Sequence, residues 1–193
     1  VVEGRTYLPL RAMGDALGVP VNWNEELKQA EVGNSSPVAK SDEYSRNNPA
    51  PINTVQTVKE ESFLGNNTVA VRIVEVIRGE NAAAMVKNAN MFNNPAEEGK
   101  EYIVVKIAVS ALEVEDDKSV NINGYSFSCF SQNNEKYDSS LVVAPQPALD
   151  ATLYAGGNAE GYVVFKVRQN DPAPKIAYGL KYDGTGGGWF SLQ

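Results

Sequence analysis

The sequence contains no histidine and one cysteine, Cys129. Without histidine the chain lacks both the commonest general base and the commonest metal ligand. A single cysteine excludes an internal disulfide and any zinc or iron–sulfur site built from several thiolates. It fits a reducing compartment, and equally an exported protein without disulfides. Positive charge is also scarce: 17 Lys and Arg face 24 Asp and Glu, a net charge of −7 at pH 7. That sign disfavours duplex nucleic acid, which needs a basic face, and disfavours anionic membrane surfaces. No apolar run reaches the roughly 20 residues of a membrane-spanning helix, so no direct membrane insertion is expected. No cofactor, metal or catalytic residue is expected from this composition. The chain begins at Val1 rather than Met, which is compatible with a removed upstream segment.

What is present is ordinary for a globular protein: 193 residues, 42% apolar and 21% charged. The most informative stretch runs from Thr68 to Leu112 and reads as strand, short helix, strand. In the second strand Ile103, Val105, Ile107, Val109 and Ala111 alternate on one face, with Tyr102, Lys106 and Ser110 on the other. Such a two-residue period marks a strand with one buried face. The first strand starts with Val69, Val71 and Ile73 in phase and then slips to Val74 and Val76. A one-residue slip turns side chains to the opposite face, so a β-bulge near Ile73–Glu75, or two covered faces, is expected. Between the strands, Ala82, Met85, Val86, Ala89 and Phe92 fall at helical spacing. Asn81 is placed to cap this helix, and Pro95 forbids its continuation.

Residues 1–32 read as β-α-β-β. Leu10, Met13 and Leu17 share a helical face between Pro9 and Gly18, and Val21, Trp23, Ala30 and Val32 alternate around a turn at Asn24–Glu26. Thirty-odd residues bury too little surface to fold alone. Residues 33–51 are polar, with prolines at 37, 49 and 51, and read as a linker or an extended crossing segment. Residues 52–64 suit an edge strand, and Glu113–Lys118 an acidic turn. Val120–Ile122, Asn123-Gly124 and Tyr125–Ser131 read as a hairpin. Tyr137–Val143, Leu149–Tyr154, Gly161–Val167, Ile176–Tyr182 and Trp189–Leu192 read as further short strands. Eight or nine short strands separated by turns predict an antiparallel sandwich occupying residues 52–193.

Four features carry candidate chemistry. Asp183–Gly188 is glycine-rich, but a strand rather than a helix follows it, so a hairpin turn is expected and not a phosphate cradle. Glu113, Glu115, Asp116, Asp117, Asn121 and Asn123 offer oxygens to calcium, but their spacing fits no EF-hand, and a solvated turn is the plainer reading. Cys129 shares a face with Tyr125 and Phe127 and is expected as a buried thiol. Trp23, Trp189 and the nine tyrosines could form an aromatic platform, but Trp189 is expected in the core, and Trp23, the better candidate for exposure, is more simply read as pinning the helix to the hairpin. Carboxylates are numerous, yet no spacing singles out a glycosidase-like pair.

Two resemblances add to these readings. The run G-R-T-Y-L-P-L-R-A-M-x-D-A-L-G-V-x-V-x-W-N in residues 1–32 resembles the copper amine oxidase N-terminal-like, or stalk, domain. That resemblance implies a structural role at the surface of Gram-positive bacteria, without the oxidase copper site. The blocks I-R-G-E-N-A, N-x-F-N, E-G-K-E-Y-I-V-V-K, G-G-N-A-E-G-Y-V-V-F-K-V and G-G-G-W-F-S-L, in that order over about residues 55–193, resemble the telokin-like, immunoglobulin-like domains of unknown function in Gram-positive lipoproteins. This implies an immunoglobulin-like β-sandwich with one inserted helix, exported and often tethered by a lipid on an upstream cysteine. Cys129, in mid-strand, cannot be that anchor. The family supplies no catalytic residues. The expected function is a non-catalytic, secreted or cell-surface envelope module for spacing or protein contact. The alternative is a module binding a cell-wall or small extracellular ligand, and a hydrolytic enzyme ranks a distant third.

Overall fold

The computed structural model describes residues 21–24, 29–32, 38–39, 44–62 and 65–193. It divides into two compact units, residues 1–37 and 38–193. In the first, β1 (Val21–Asn24) and β2 (Gln29–Val32) form an antiparallel hairpin with Trp23 opposite Ala30. This is the alternation read from the sequence. The helix expected between Pro9 and Gly18 lies outside the described residues, as does the Trp23 side chain.

The second unit is a β-sandwich with an inserted helix. One layer is a five-stranded sheet ordered β10-β6-β5-β4-β3. Its members are β3 (Val38–Ala39), β4 (Val55–Ser62), β5 (Gly65–Ile77), β6 (Lys100–Val114) and β10 (Asn158–Arg168). All its pairings are antiparallel except the two-residue β3 against β4. The other layer combines β8 (Phe127–Phe130), β11 (Lys175–Leu180) and β12 (Gly186–Ser191) with a separate pair, β7 (Val120–Asn123) and β9 (Asp150–Leu153).

Ile103, Val105, Ile107, Val109 and Ala111 of β6 are at most 2% exposed and lie against Ile122, Phe127, Ile176 and Phe190 of the facing layer. The slip in β5 is a bulge. Ile73 pairs Ile107 and Glu75 pairs Lys106, leaving Val74 as the extra residue. The second face is covered as well. Helix α1 (Gly79–Ala89) sets Ala82 and Val86 on Tyr102, Val104 and Val164.

Asn81 does not cap this helix. It begins two residues earlier, after Arg78, whose side chain makes no cap. Glu101 of β6 supplies the cap from outside: its Oε2 accepts from Gly79 N–H at 3.1 Å, and its Oε1 pairs with Arg78 Nη2 at 2.5 Å. A carboxylate there satisfies an orphan N–H and opposes the helix dipole. Phe92 lies beyond the helix end and is 82% exposed.

The expected hairpin at Asn123-Gly124 is not one. β7 pairs β9 and β8 pairs β11, so the chain changes sheet at this point. Asn123 and Ser126 form a reciprocal capping box around a short 3-10 turn. Local Asn-Gly chemistry serves a corner as well as a hairpin. Tyr125 therefore leaves the face of Phe127 and Cys129 and is 75% exposed. Tyr137–Val143 is not a strand either: apart from a bridge at Lys136 the chain there is irregular. Within the segment read as a linker, Ala50 is buried, donating its N–H to Trp189 O and accepting from Ser191 N–H.

Candidate functional site

The two layers leave one seam open, because β10 ends one sheet and β8 ends the other. Residues 131–149 leave β8, cross this seam as a strap and enter β9. The strap is fixed at four points. The Ser131 hydroxyl accepts from the N–H groups of Asn133 and Glu135, turning the chain. Tyr137 donates its N–H to Cys129 O at 2.9 Å and its hydroxyl to Asp171 Oδ2 at 2.6 Å. Asn93, beyond α1, clamps Val143 both ways: Nδ2 donates to Val143 O and Oδ1 accepts from Val143 N–H, each at 2.9 Å. Finally Tyr162 N–H donates to Pro147 O at 2.8 Å and Leu149 N–H to Tyr162 O at 3.0 Å. The strap comes this close only because position 161 is glycine. A Cβ there would stand 2.4 Å from Leu149 N.

Asp171 is the interior anchor. It is 4% exposed, and its Oδ1 accepts from the N–H groups of Gln132 and Ala173. Its backbone carbonyl accepts from Arg78, which ties it to Glu101 and the helix start. Buried polar groups that are fully hydrogen-bonded in this way fix one arrangement of the surrounding chain.

Beneath the strap lies a cleft of about 340 Å³. Its floor is core surface: Phe127, Cys129, Leu149, Val163 and Phe165. Tyr137 and Tyr162 contribute to its walls, and its mouth carries Lys136, Asp138, Ser139 and Asp150, all exposed. The Ser140 hydroxyl is buried in this lining and has no hydrogen-bond partner. Cys129 is the thiol read as buried, and burial, with a smaller contribution from Asp171, pushes it up to about 12. It is thus a neutral wall at physiological pH rather than a nucleophile. Burial and the bond to Asp171 likewise push the Tyr137 hydroxyl up to about 12. The cleft therefore has an apolar base and aromatic walls, with its charged groups, Lys136, Asp138 and Asp150, at the mouth.

The other sequence candidates go elsewhere. Glu113 accepts from the Thr68 hydroxyl and Glu115 from Asn66 N–H, while Asp116 pairs with Lys118. Asn121 and Asn123 are bonded to each other and to Thr152 and Tyr125. Among the described residues no three acidic or thiol side chains gather as a metal would need. Asp183–Gly188 joins β11 to β12 as a turn, with Asp183 Oδ1 accepting from the Thr185 N–H and hydroxyl. Trp189 is buried, but on the outer side of its sheet. There it meets Phe130, with ring centroids 5.0 Å apart, and Arg46, 4.9 Å above its ring.

Of the cleft's lining, Asn123, Cys129 and the tyrosines were singled out from the sequence, but for other roles; Lys136, Asp138, Ser139, Ser140 and Asp150 were not. The one local signal is A-P-Q-P-A at residues 144–148, two prolines that rule out a regular strand there.

Residues 58–188, well over half the chain, match the family described as Domain of unknown function (DUF4352). The chain belongs to this family. Residues 1–92 match the copper amine oxidase N-terminal domain, so the likeness read in residues 1–32 extends beyond them. No curated protein matches the DUF4352 chain. Among solved structures, it is similar to ycdA, a candidate lipoprotein of Bacillus subtilis, at 14% identity and TM-score 0.45 over 64% of this chain. It spans 35% of the ycdA chain, about a third. It is also similar to the yjhA protein of Bacillus subtilis, at 11% identity and TM-score 0.45, covering 67% of this chain and 79% of that one. Among the described residues no helix is long and apolar enough to cross a membrane.

Proposed function

We propose that this DUF4352 protein is a non-catalytic module of the cell envelope, outside the cytoplasm, that works by protein contact. Its immunoglobulin-like sandwich is the contacting domain, residues 52–193, and residues 1–32 form a stalk-like unit before it. The family match and the copper amine oxidase N-terminal match support that placement.

The observation that carries the contact reading is an apolar ledge. Met91, Phe92, Leu141 and Val143 are 85, 82, 88 and 48% exposed. They sit on two loops that Asn93 holds together. Solvent-exposed apolar side chains gathered on a fixed support mark a surface that another molecule covers. Replacing Phe92 by a photoreactive residue in intact cells tests this. The expected result is a discrete protein adduct, abolished by Leu141→Asp. Adducts no more specific than those from the still more exposed Tyr182 position would contradict it.

A second reading, a module that binds a small extracellular molecule, is favoured by the seam cleft. Its volume lies at the lower end of the range for ligand pockets, and its polar groups converge over an apolar floor.

A further inference from the structure

We infer that a second pocket, where the Glu60 end of β4 faces β8 and β11, takes an organic ammonium ion. The pocket holds about 370 Å³ between Glu60 and Asn67 on one layer and Ser128 and Tyr178 on the other. Among the described residues Glu60 is the one charged group in its lining. That carboxyl is half-buried, and its Oε2 accepts from the Tyr178 hydroxyl at 2.9 Å. No lysine or arginine pairs with it. Its stem is held in place by β11, which passes at a glycine: a Cβ at Gly179 would stand 3.3 Å from Glu60 Cγ. Burial raises this carboxyl, as expected where a carboxylate loses water and gains no counter-charge. Asn67 lies directly across the ladder from Glu60, so the two side chains share a face, with Cβ atoms about 5 Å apart. Tyr125, 75% exposed, lines the same pocket.

This lining discriminates by charge. An anion finds no basic partner and meets Glu60. A neutral guest displaces water from the carboxylate and returns no charge. Calcium takes about six to eight oxygens, and among the described residues no three acidic or thiol side chains gather. An ammonium ion brings one positive charge and only donors. It bonds the remaining Glu60 oxygen and the Asn67 carbonyl, and supplies the missing counter-charge in a site that bulk salt screens poorly. The Tyr125 ring adds a face that attracts a cation. The other titratable groups in the lining are the Tyr125 and Tyr178 hydroxyls, so the charge of the pocket follows Glu60. Affinity therefore falls as pH drops through the titration of that carboxyl, because the protonated acid no longer attracts a cation.

The test is titration of the full-length, isotope-labelled chain at neutral pH with pentylammonium, followed by amide chemical shifts. Pentanol and valerate are the neutral and anionic controls of matching length, and calcium is the inorganic cation. Saturable shifts at residues 60, 67, 125–128 and 178–180 are expected with pentylammonium and not with the controls. Glu60→Gln, which still accepts from Tyr178, should weaken binding about tenfold, and Tyr125→Ala roughly threefold, with cooperative melting kept in both. Nα-acetyl-lysine amide binding as well as pentylammonium would support the assignment with a protein side chain as the source; pentylammonium binding alone would support it with a small free amine. Equal binding of pentanol or valerate, or tighter binding of calcium at these residues, would overturn it. So would the absence of saturable shifts with either ammonium, or ammonium binding that neither variant weakens.

Discussion

At the scale of single residues, the side chains that usually carry chemistry are held by the fold. Cys129, the sole thiol, is 4% exposed and raised to about 12, chiefly by burial. About one thiol in ten thousand is then ionised at pH 8, so native protein should resist iodoacetamide until unfolded. Rapid labelling under native conditions, read by mass spectrometry, would contradict this. Glu60 accepts from the Tyr178 hydroxyl at 2.9 Å, and burial raises its carboxyl despite that bond. The folded state therefore holds this proton to higher pH than the unfolded chain does. The stability it contributes is present below the ordinary carboxylate range and is lost as pH rises through the folded value. Glu60→Gln should remove that dependence, so wild type loses thermal stability relative to the variant as pH rises through and above the ordinary carboxylate range. A parallel pair of melting curves across that window would refute it. The burial of Cys129 was legible because it sits in an apolar alternation. The roles of Glu60 and Asp171 were not, because each depends on a partner brought from far along the chain.

At the scale of elements, local patterns were read well where one face or one period decides. The alternation of β6, the bulge in β5 and the turn after β11 follow from side-chain phase and glycine placement. The helix start was missed because its cap, Glu101, lies 22 residues away across the sheet. Glu101→Ala should cost about 2 kcal/mol, since it strands the half-buried Arg78 and uncaps α1. Denaturant unfolding would show this, accompanied by loss of helical signal at 222 nm. The supposed hairpin failed because a capping box at Asn123 and Ser126 uses the same residues as a tight turn. Gly161→Ala tests the strap as an element. The added methyl meets Ala148 and Leu149 backbone, so a loss of about 1–3 kcal/mol is expected, with shifts concentrated in residues 144–149. An unchanged midpoint would show that the strap is not seated on β10.

At the scale of the whole molecule, the sandwich and its inserted helix were legible, and the cleft and ledge were not. Both surfaces depend on residues 131–149, whose path is set by Asp171, Asn93 and Tyr162 rather than by any period of their own. Tyr137–Val143 imitates a strand because its apolar residues alternate, yet Leu141 and Val143 point outward and only Val142 meets the helix cluster. The account stands on that strap being a fixed part of the fold. Native-state hydrogen exchange tests it most directly, at the N–H groups of Tyr137, Val143, Leu149 and Tyr162. Protection approaching that of the β6 amides is predicted, because each is held by a short bond to an anchored partner. Exchange of these four as fast as the exposed loop at 138–139 would mean that neither cleft nor ledge is a standing surface.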